Sequence, residues 1–315
     1  MARPARNGTG VPGNGELNRR PWAWGHGARL SLMRIALTGG SGKLGRTAVR
    51  VLRDAGHDVT SFDVTGIRGP GFLQVDLKDY GQVVDALAGV HEGARQTGYD
   101  AIVHLGAIPA PGIRSDVATF ENNILSTYHV FQAARTLGIR NIVYASSETV
   151  LGLPFDEDPP YLPIDEEYPG RPESTYSLVK HLEETMARQF TRWDPELKII
   201  ALRFSNVMDP EDYAAFPGYD ADTKNRRWNA WGYIDARDGS QAILKSLESH
   251  ARGFDVFIIA AADTVSDRPN AELAAAEFAD VPVARDLGEH DTLLSIDKAR
   301  RLLGYDPQHS WRDHA

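Results

Sequence analysis

Tyr176 and Lys180 stand four residues apart in the run Tyr176-Ser177-Leu178-Val179-Lys180. On a helix that spacing puts both side chains on one face. Free tyrosine ionises near 10, too high for a base at neutral pH, but a cation held beside it favours the phenolate. Such a pair can remove a hydroxyl proton from a substrate. A second chemical cluster lies early in the chain, where Gly39, Gly42 and Gly45 punctuate Thr38-Gly39-Gly40-Ser41-Gly42-Lys43-Leu44-Gly45. Glycines at this spacing allow a tight strand-to-helix turn and close approach of the backbone to a pyrophosphate. The unpaired N–H groups at the helix start then attract the phosphates. Asp63, 24 residues beyond Gly39, ends the following strand. Its carboxylate would accept hydrogen bonds from ribose hydroxyls and repel a 2′-phosphate, which selects NAD over NADP. Lys43 and Arg68 are the nearby cations that soften this preference. A lone Tyr-x-x-x-Lys is common on surface helices; its position downstream of a glycine-rich dinucleotide turn gives it weight.

These residues need elements to hold them, and the apolar periodicity supplies a regular alternation. Strands are expected at Met33–Thr38, Asp58–Val64, Gly71–Leu77, Ala101–Gly106, Ile139–Ser146, Lys198–Phe204 and Phe254–Ala260. Helices are expected at Gly42–Asp54, Tyr80–Ala88, Phe120–Leu137, Ser174–Trp193 and Gly239–Ser249, with Asn270–Leu303 helical around a break at Asp280–Asp291. Strands separated by helices imply an α/β fold, a doubly wound parallel (Rossmann) sheet covered on both faces. The expected organisation is a dinucleotide-binding domain with the catalytic residues over 33–207. A small C-terminal substrate-binding subdomain follows over 208–315, with strands near 233–235 and 254–260 returning to the main sheet. Residues 1–32 are rich in Gly, Pro, Asn and Arg and show no period, so they read as a disordered extension, with Met33 a natural start.

Composition narrows the function classes. The 315 residues contain no cysteine, which excludes disulfides and thiolate metal sites and suggests a reducing, cytoplasmic setting. The histidines show no metal-ligand spacing, so no metal is expected. No run approaches the roughly 18 apolar residues of a membrane span. The net charge is −9; five arginines against Glu16 put the first 32 residues at +4 and leave the remainder at −13. An acidic body repels nucleic acid and anionic membrane, so neither is an expected partner.

From about Met33 onward the chain resembles the extended short-chain dehydrogenase/reductase family, the NAD-dependent epimerase/dehydratase group of nucleotide-sugar epimerases, sugar dehydratases and sugar dehydrogenases. The resemblance rests on Thr38–Gly45, Asp63, Asp76-Leu77, His104-Leu105-Gly106-Ala107, Asn123, Ser146-Ser147, Tyr176–Lys180 and Arg203–Pro210, in family order and spacing. It implies catalysis by Ser147, Tyr176 and Lys180. Tyr176 is the acid/base, Ser147 hydrogen-bonds the reacting oxygen, and Lys180 both lowers the tyrosine pKa and binds the nicotinamide ribose. It implies cofactor contacts from Gly39, Ser41, Gly42, Lys43, Leu44, Gly45, Asp63, Asp76 (near adenine), Leu77, Leu105, Gly106, Ala107, Asn123, Phe204 and Asn206. Asn123 would help order the site through its helix, and His104 would be structural at the end of a buried strand. The resemblance also implies a homodimer built on the helices around Phe120–Leu137 and Ser174–Trp193.

The reaction within this family is narrowed by three departures. Sugar 4,6-dehydratases carry Asp-Glu after the catalytic serine or threonine; here the pair is Glu148-Thr149, which disfavours dehydration. The segment Met208–Gly232 is short for holding a nucleotide, and the family's Gly-Pro after Asn-Val is Asp209-Pro210. The compact layout is nearest to uronate dehydrogenase-like members, which oxidise a free sugar acid at its anomeric carbon with NAD. Lys224, Arg226 and Arg227 offer partners for a carboxylate, Trp228 and Trp231 offer faces for a sugar ring, and Glu148 adjoins the serine. The reading is an NAD-dependent oxidoreductase of a small sugar-like or polyol substrate, with Glu148, Arg226 and Arg227 as substrate residues. Two alternatives stand beside it: a nucleotide-sugar 4-epimerase with tightly bound NAD, and a non-catalytic NAD-binding regulatory protein.

Overall fold

A computed structural model of the chain describes residues 32–91, 94–95 and 98–314; the extension expected over 1–32 lies, apart from Leu32, outside the described residues. The strands are β1 (Arg34–Thr38), β2 (Asp58–Asp63), β3 (Phe72–Gln74), β4 (Val90–His91), β5 (Ala94–Arg95), β6 (Ala101–His104), β7 (Asn141–Ser147), β8 (Lys198–Phe204), β9 (Val207–Met208), β10 (Ile234–Asp235) and β11 (Gly253–Ile259). The helices are α1 (Lys43–Asp54), α2 (Tyr80–Leu87), α3 (Asp116–Leu137), α4 (Thr175–Trp193), α5 (Ala236–Glu248), α6 (Asn270–Glu277) and α7 (Asp297–Leu303).

Seven strands form one sheet in the order β11-β8-β7-β6-β1-β2-β3, every neighbouring pair parallel. This is the Rossmann arrangement the alternation predicts. Both faces are buried because successive side chains point to opposite sides. Ile35 and Leu37 enter one apolar cluster and Ala36 the other; Val143 sides with the first, Ile142 and Tyr144 with the second. Helix α1 packs on α5, while α2 packs on α3 and α3 on α4. The chain reverses direction across the sheet between β1 and β6, and the crevice at that switch point, beyond the C-terminal strand ends, is where ligands enter folds of this class.

Several elements differ from expectation. Strand β3 has only three residues, since it lies at the sheet edge and pairs on one side alone. The β4–β5 hairpin has no alternating pattern long enough to announce it. β11 returns to the main sheet as expected, but β10 does not: it pairs with β9 in a separate two-stranded sheet. Helix α3 starts at Asp116, one turn before the expected Phe120, because Ser115 holds the extended conformation that precedes it. The C-terminal break runs from Phe278 to Ile296 and is fixed by bridges from Leu162 to Val283 and from Ile164 to Leu294. Residues 32–315 form one compact unit, and a single apolar cluster runs from Ile35 on β1 to Trp311 near the chain end.

Candidate active site

The glycine turn between β1 and α1 is built as the spacing requires. Gly39 has φ +74°, and a Cβ there would sit 2.6 Å from the Gly106 nitrogen; a Cβ on Gly45 would meet the Gly39 carbonyl oxygen at 2.1 Å. The N-cap of α1 is Gly42, which offers no side chain to its first-turn N–H groups. Those donors and the helix dipole therefore face a cavity of about 800 Å³. A bare cradle of this kind fits a dinucleotide pyrophosphate. At one end Asp63 accepts from the Ser41 N–H at 3.0 Å and from the Thr65 N–H at 3.3 Å. Lys43 is held by Asp212 at 2.6 Å, and Arg68 by the Gln74 side chain at 2.9 Å.

Gly39, Ser41, Gly42, Lys43, Leu44, Gly45, Asp63, Asp76, Leu77, Leu105, Gly106, Ala107, Phe204 and Asn206 all line this cavity, as do Ser147, Glu148 and Tyr176. Asn123 does not. It is fully buried on α3, where its side chain accepts from the Ile108 N–H at 2.8 Å and donates to the Ile108 carbonyl at 3.0 Å. Asn123 thus clamps the wall segment that follows β6.

The side chains expected to be catalytic come from β7 and α4. Ser174 caps α4, accepting from the Ser177 N–H while Ser177 returns a bond to the Ser174 N–H. This fixes the helix start two residues before Tyr176. Lys180 follows one turn later, its Nζ 6.0 Å from the tyrosine ring centre. Lys180 is buried, donating to the Ala145 carbonyl at 2.8 Å and to Glu183 Oε2 at 2.9 Å. Burial works against the Lys180 ammonium, but Glu183 and the tyrosine hold its pKa above the ordinary value. Burial pushes the Tyr176 hydroxyl up; Lys180 and a hydrogen bond with Ser147 pull it down, and Glu183 and Glu148 oppose them, leaving it raised. Ser147 accepts from the Thr149 N–H at 3.2 Å and the Thr149 hydroxyl at 3.0 Å, so its own hydrogen points away from Thr149.

Glu148 follows Ser147 and is 3% exposed. It accepts from the Ser205 hydroxyl at 2.5 Å and from Asn229 Nδ2 at 3.2 Å. Burial outweighs these bonds and pushes its carboxyl up to about 7. Ser205 and Asn229 were not singled out by the sequence; the Arg203–Val207 stretch carried the signal for Ser205, whereas Asn229 lies in an irregular turn with none.

The loop expected to hold a substrate carboxylate does something else. Arg227 donates to the Phe155 carbonyl at 2.6 Å and to Asp158 at 2.5 Å, and lies 3.7 Å from Glu277. Arg226 is buried, donates to the Gly232 carbonyl at 2.8 Å, and stacks 5.0 Å from the ring centres of both Tyr219 and Trp228. Neither arginine lines the cavity; Arg227 holds the loop, and Arg226, whose buried Nε has no hydrogen-bond partner, lies near enough to Glu148 to act on its charge. Trp231 is an anchor, 2% exposed, packed edge-on against Phe278. Trp228 does reach the cavity wall.

Other proteins share this arrangement. Residues 35–260 match the NAD dependent epimerase/dehydratase family. UDP-glucose 4-epimerase 2 of Oryza sativa subsp. japonica is 29% identical over 191 residues, 55% of this chain and 44% of that protein; the chain spans about half the length of the first such relatives it matches. L-arabinose 1-dehydrogenase (NAD(P)(+)) of Haloferax volcanii is 27% identical over 287 residues, 88% of this chain and 97% of that one. The crystal structure of UDP-glucose 4-epimerase from Bifidobacterium longum, in complex with NAD+ and UDP, superposes with a TM-score of 0.66 at 19% identity over 89% of this chain and 95% of the other. The glycine cradle, the buried tyrosine–lysine pair and the family match together place this chain in the NAD dependent epimerase/dehydratase family.

Proposed function

We propose that the chain is an NAD-dependent dehydrogenase of a free, sugar-like hydroxyl compound. The observation that carries this reading is the charge of the substrate end of the cavity. Ser147, Glu148, Thr149, Tyr176, Ser205 and Trp228 meet there. Among the described lining residues the cation is Lys43, at the glycine turn and paired with Asp212. A nucleoside diphosphate carries negative charge that needs Arg or Lys partners, and neither Arg226 nor Arg227 lines the cavity. Hydroxyls fit this wall; a diphosphate does not.

The bound nicotinamide supplies the hydride acceptor. Tyr176 takes the hydroxyl proton as hydride leaves the same carbon, so the C–H and O–H bonds break while the carbonyl forms. Ser147 holds the oxygen. Asp63, together with the engagement of Lys43 and Arg68 by Asp212 and Gln74, supports NAD over NADP. The absorbance of reduced cofactor tests the reading, with aldoses, polyols, uronic acids and UDP-sugars offered in turn. Steady NADH formation from a free sugar, lost by a factor of about 10²–10⁴ in Tyr176→Phe, is expected. The epimerase relatives support a second reading, 4-epimerisation of a nucleotide sugar. UDP-sugar interconversion without net NADH would establish it and sink the first.

A further inference from the structure

The catalytic lysine is the end of a buried chain that crosses the molecule. Thr38 on β1, His104 on β6, Thr127 on α3, Glu183 and Lys180 on α4 are each at most 3% exposed. Thr38 Oγ1 lies 2.7 Å from His104 Nδ1. His104 Nε2 lies 3.0 Å from Thr127 Oγ1, and the Thr127 hydroxyl reaches Glu183 Oε1 at 2.8 Å. Glu183 Oε2 takes Lys180 Nζ at 2.9 Å. Neither Glu183 nor Thr127 lines the cavity.

The direction of the chain is fixed. Thr38 Oγ1 accepts from the N–H groups of Leu105 at 3.2 Å and Gly106 at 3.1 Å. Both its lone pairs are then used, so its hydrogen goes to His104 Nδ1. Burial, then the nearby Lys180, hold the His104 pKa down to about 3, so the ring is neutral and its one hydrogen sits on Nε2. That hydrogen goes to Thr127, and the Thr127 hydrogen goes to Glu183. Glu183 therefore accepts from both sides, which is the pattern of a carboxylate. Burial pushes the Glu183 carboxyl up, while Lys180 and the Thr127 hydrogen bond pull it down; accepting on both sides, it sets negative charge 2.9 Å from the Lys180 ammonium and offsets part of the field that would ionise Tyr176.

We propose that Glu183 is a positioning residue of the catalytic machinery: it fixes Lys180 Nζ and offsets its charge, so that Tyr176 becomes a base only when a positively charged ligand, the oxidised nicotinamide, lies beside it. The other charged groups in this neighbourhood agree with that role. Glu148, after β7, adds negative charge. Glu184 on α4 is taken up by Arg203 of β8, both bonds being 2.9 Å. His104 contributes none. Basicity is thereby restricted to the complex that can use it. The inference rests on Tyr176 as the base, and Tyr176→Phe tests that separately.

The test is titration of ring-labelled tyrosine by carbon NMR, with the Tyr176 signal identified by its loss in Tyr176→Phe. In cofactor-free protein, Glu183→Gln is expected to move the Tyr176 midpoint down by about one pH unit or more, a tenfold change in ionisation. Glu183→Asp keeps the charge and should leave it high. In wild type, added NAD should lower the midpoint and added NADH should not, a comparison that needs no variant to fold. A Tyr176 midpoint that is the same with and without NAD overturns the proposal, as does one unmoved in a folded Glu183→Gln protein. An inactive Tyr176→Phe with an unmoved titration removes only the role of Glu183; an active Tyr176→Phe removes the base itself.

Discussion

Glu148 shows how one buried side chain couples the site to stability. Its carboxyl is pushed up to about 7 from an ordinary 4.5. Between these values the folded state holds a proton that the unfolded chain has released. Stability then falls as pH rises from about 4.5 to about 7, and levels off above. The span corresponds to an effect on the order of 3 kcal/mol. Glu148→Gln should abolish that slope and unfold at a higher temperature than wild type at pH 7–8. Thermal denaturation of both proteins across this range decides it; parallel curves would contradict the burial argument. The sequence named Glu148 by its place after Ser147, but its protonation depends on burial in the folded chain, opposed by hydrogen bonds from Ser205 and Asn229, which come from distant turns. Arg226 and Arg227 illustrate the converse. Their types suit a carboxylate ligand, yet a guanidinium is recruited as readily by carbonyls, aromatic rings and carboxylates of its own chain, and nothing in local spacing distinguishes the two uses.

At the scale of elements, the ion pair between β8 and α4 registers the helix that carries Tyr176 and Lys180 against the sheet. Arg203 donates to both oxygens of Glu184, and Ser146 on β7 adds a third bond at 2.7 Å. Burial alone would push Glu184 up; Arg203 and Ser146 outweigh it and hold the carboxyl below its usual range. Removing one partner leaves the other charged and dry, so Arg203→Met should cost about 3–5 kcal/mol. A chemical denaturation midpoint equal to that of wild type would refute this. The long elements here were legible because each carries a clear period: β8 was expected at Lys198–Phe204 and stands there. The two-residue strands β4, β5, β9 and β10 carry no period, and their pairing is decided by tertiary contacts alone.

For the whole molecule, the expected division at residue 207 is not a division in packing. Aromatic side chains from the last third, among them Phe278, Tyr305 and Trp311, join the same apolar cluster as β1 and α5. Tyr305 donates to the Ala260 carbonyl at 2.8 Å just beyond β11, and Trp311 Nε1 to the Thr264 carbonyl at 2.8 Å. Calorimetry of the full chain should accordingly show one cooperative transition for this unit; two separable peaks would mean that the C-terminal third melts by itself. The fold class could be read from the alternation of strand and helix, since that alternation admits few topologies. How the last third closes over the sheet could not, because its contacts are made by single aromatic residues far apart in sequence. Among the described residues no helix is long and apolar enough to cross a membrane.

The acidic wall of the substrate end has a bearing on turnover. In the narrower case that the hydroxyl oxidised is on the anomeric carbon of a cyclic sugar, the product is a lactone, which water opens to an acid anion. Above about pH 7 that anion would meet the Glu148 carboxylate, whose charge the nearby Arg226 offsets only in part, with no lining cation at that end among the described residues to retain it. On that reading the hydrolysed product would be a poor competitor for the site, so accumulation of the acid would not throttle the forward reaction, and opening of the lactone would pull the flux in one direction.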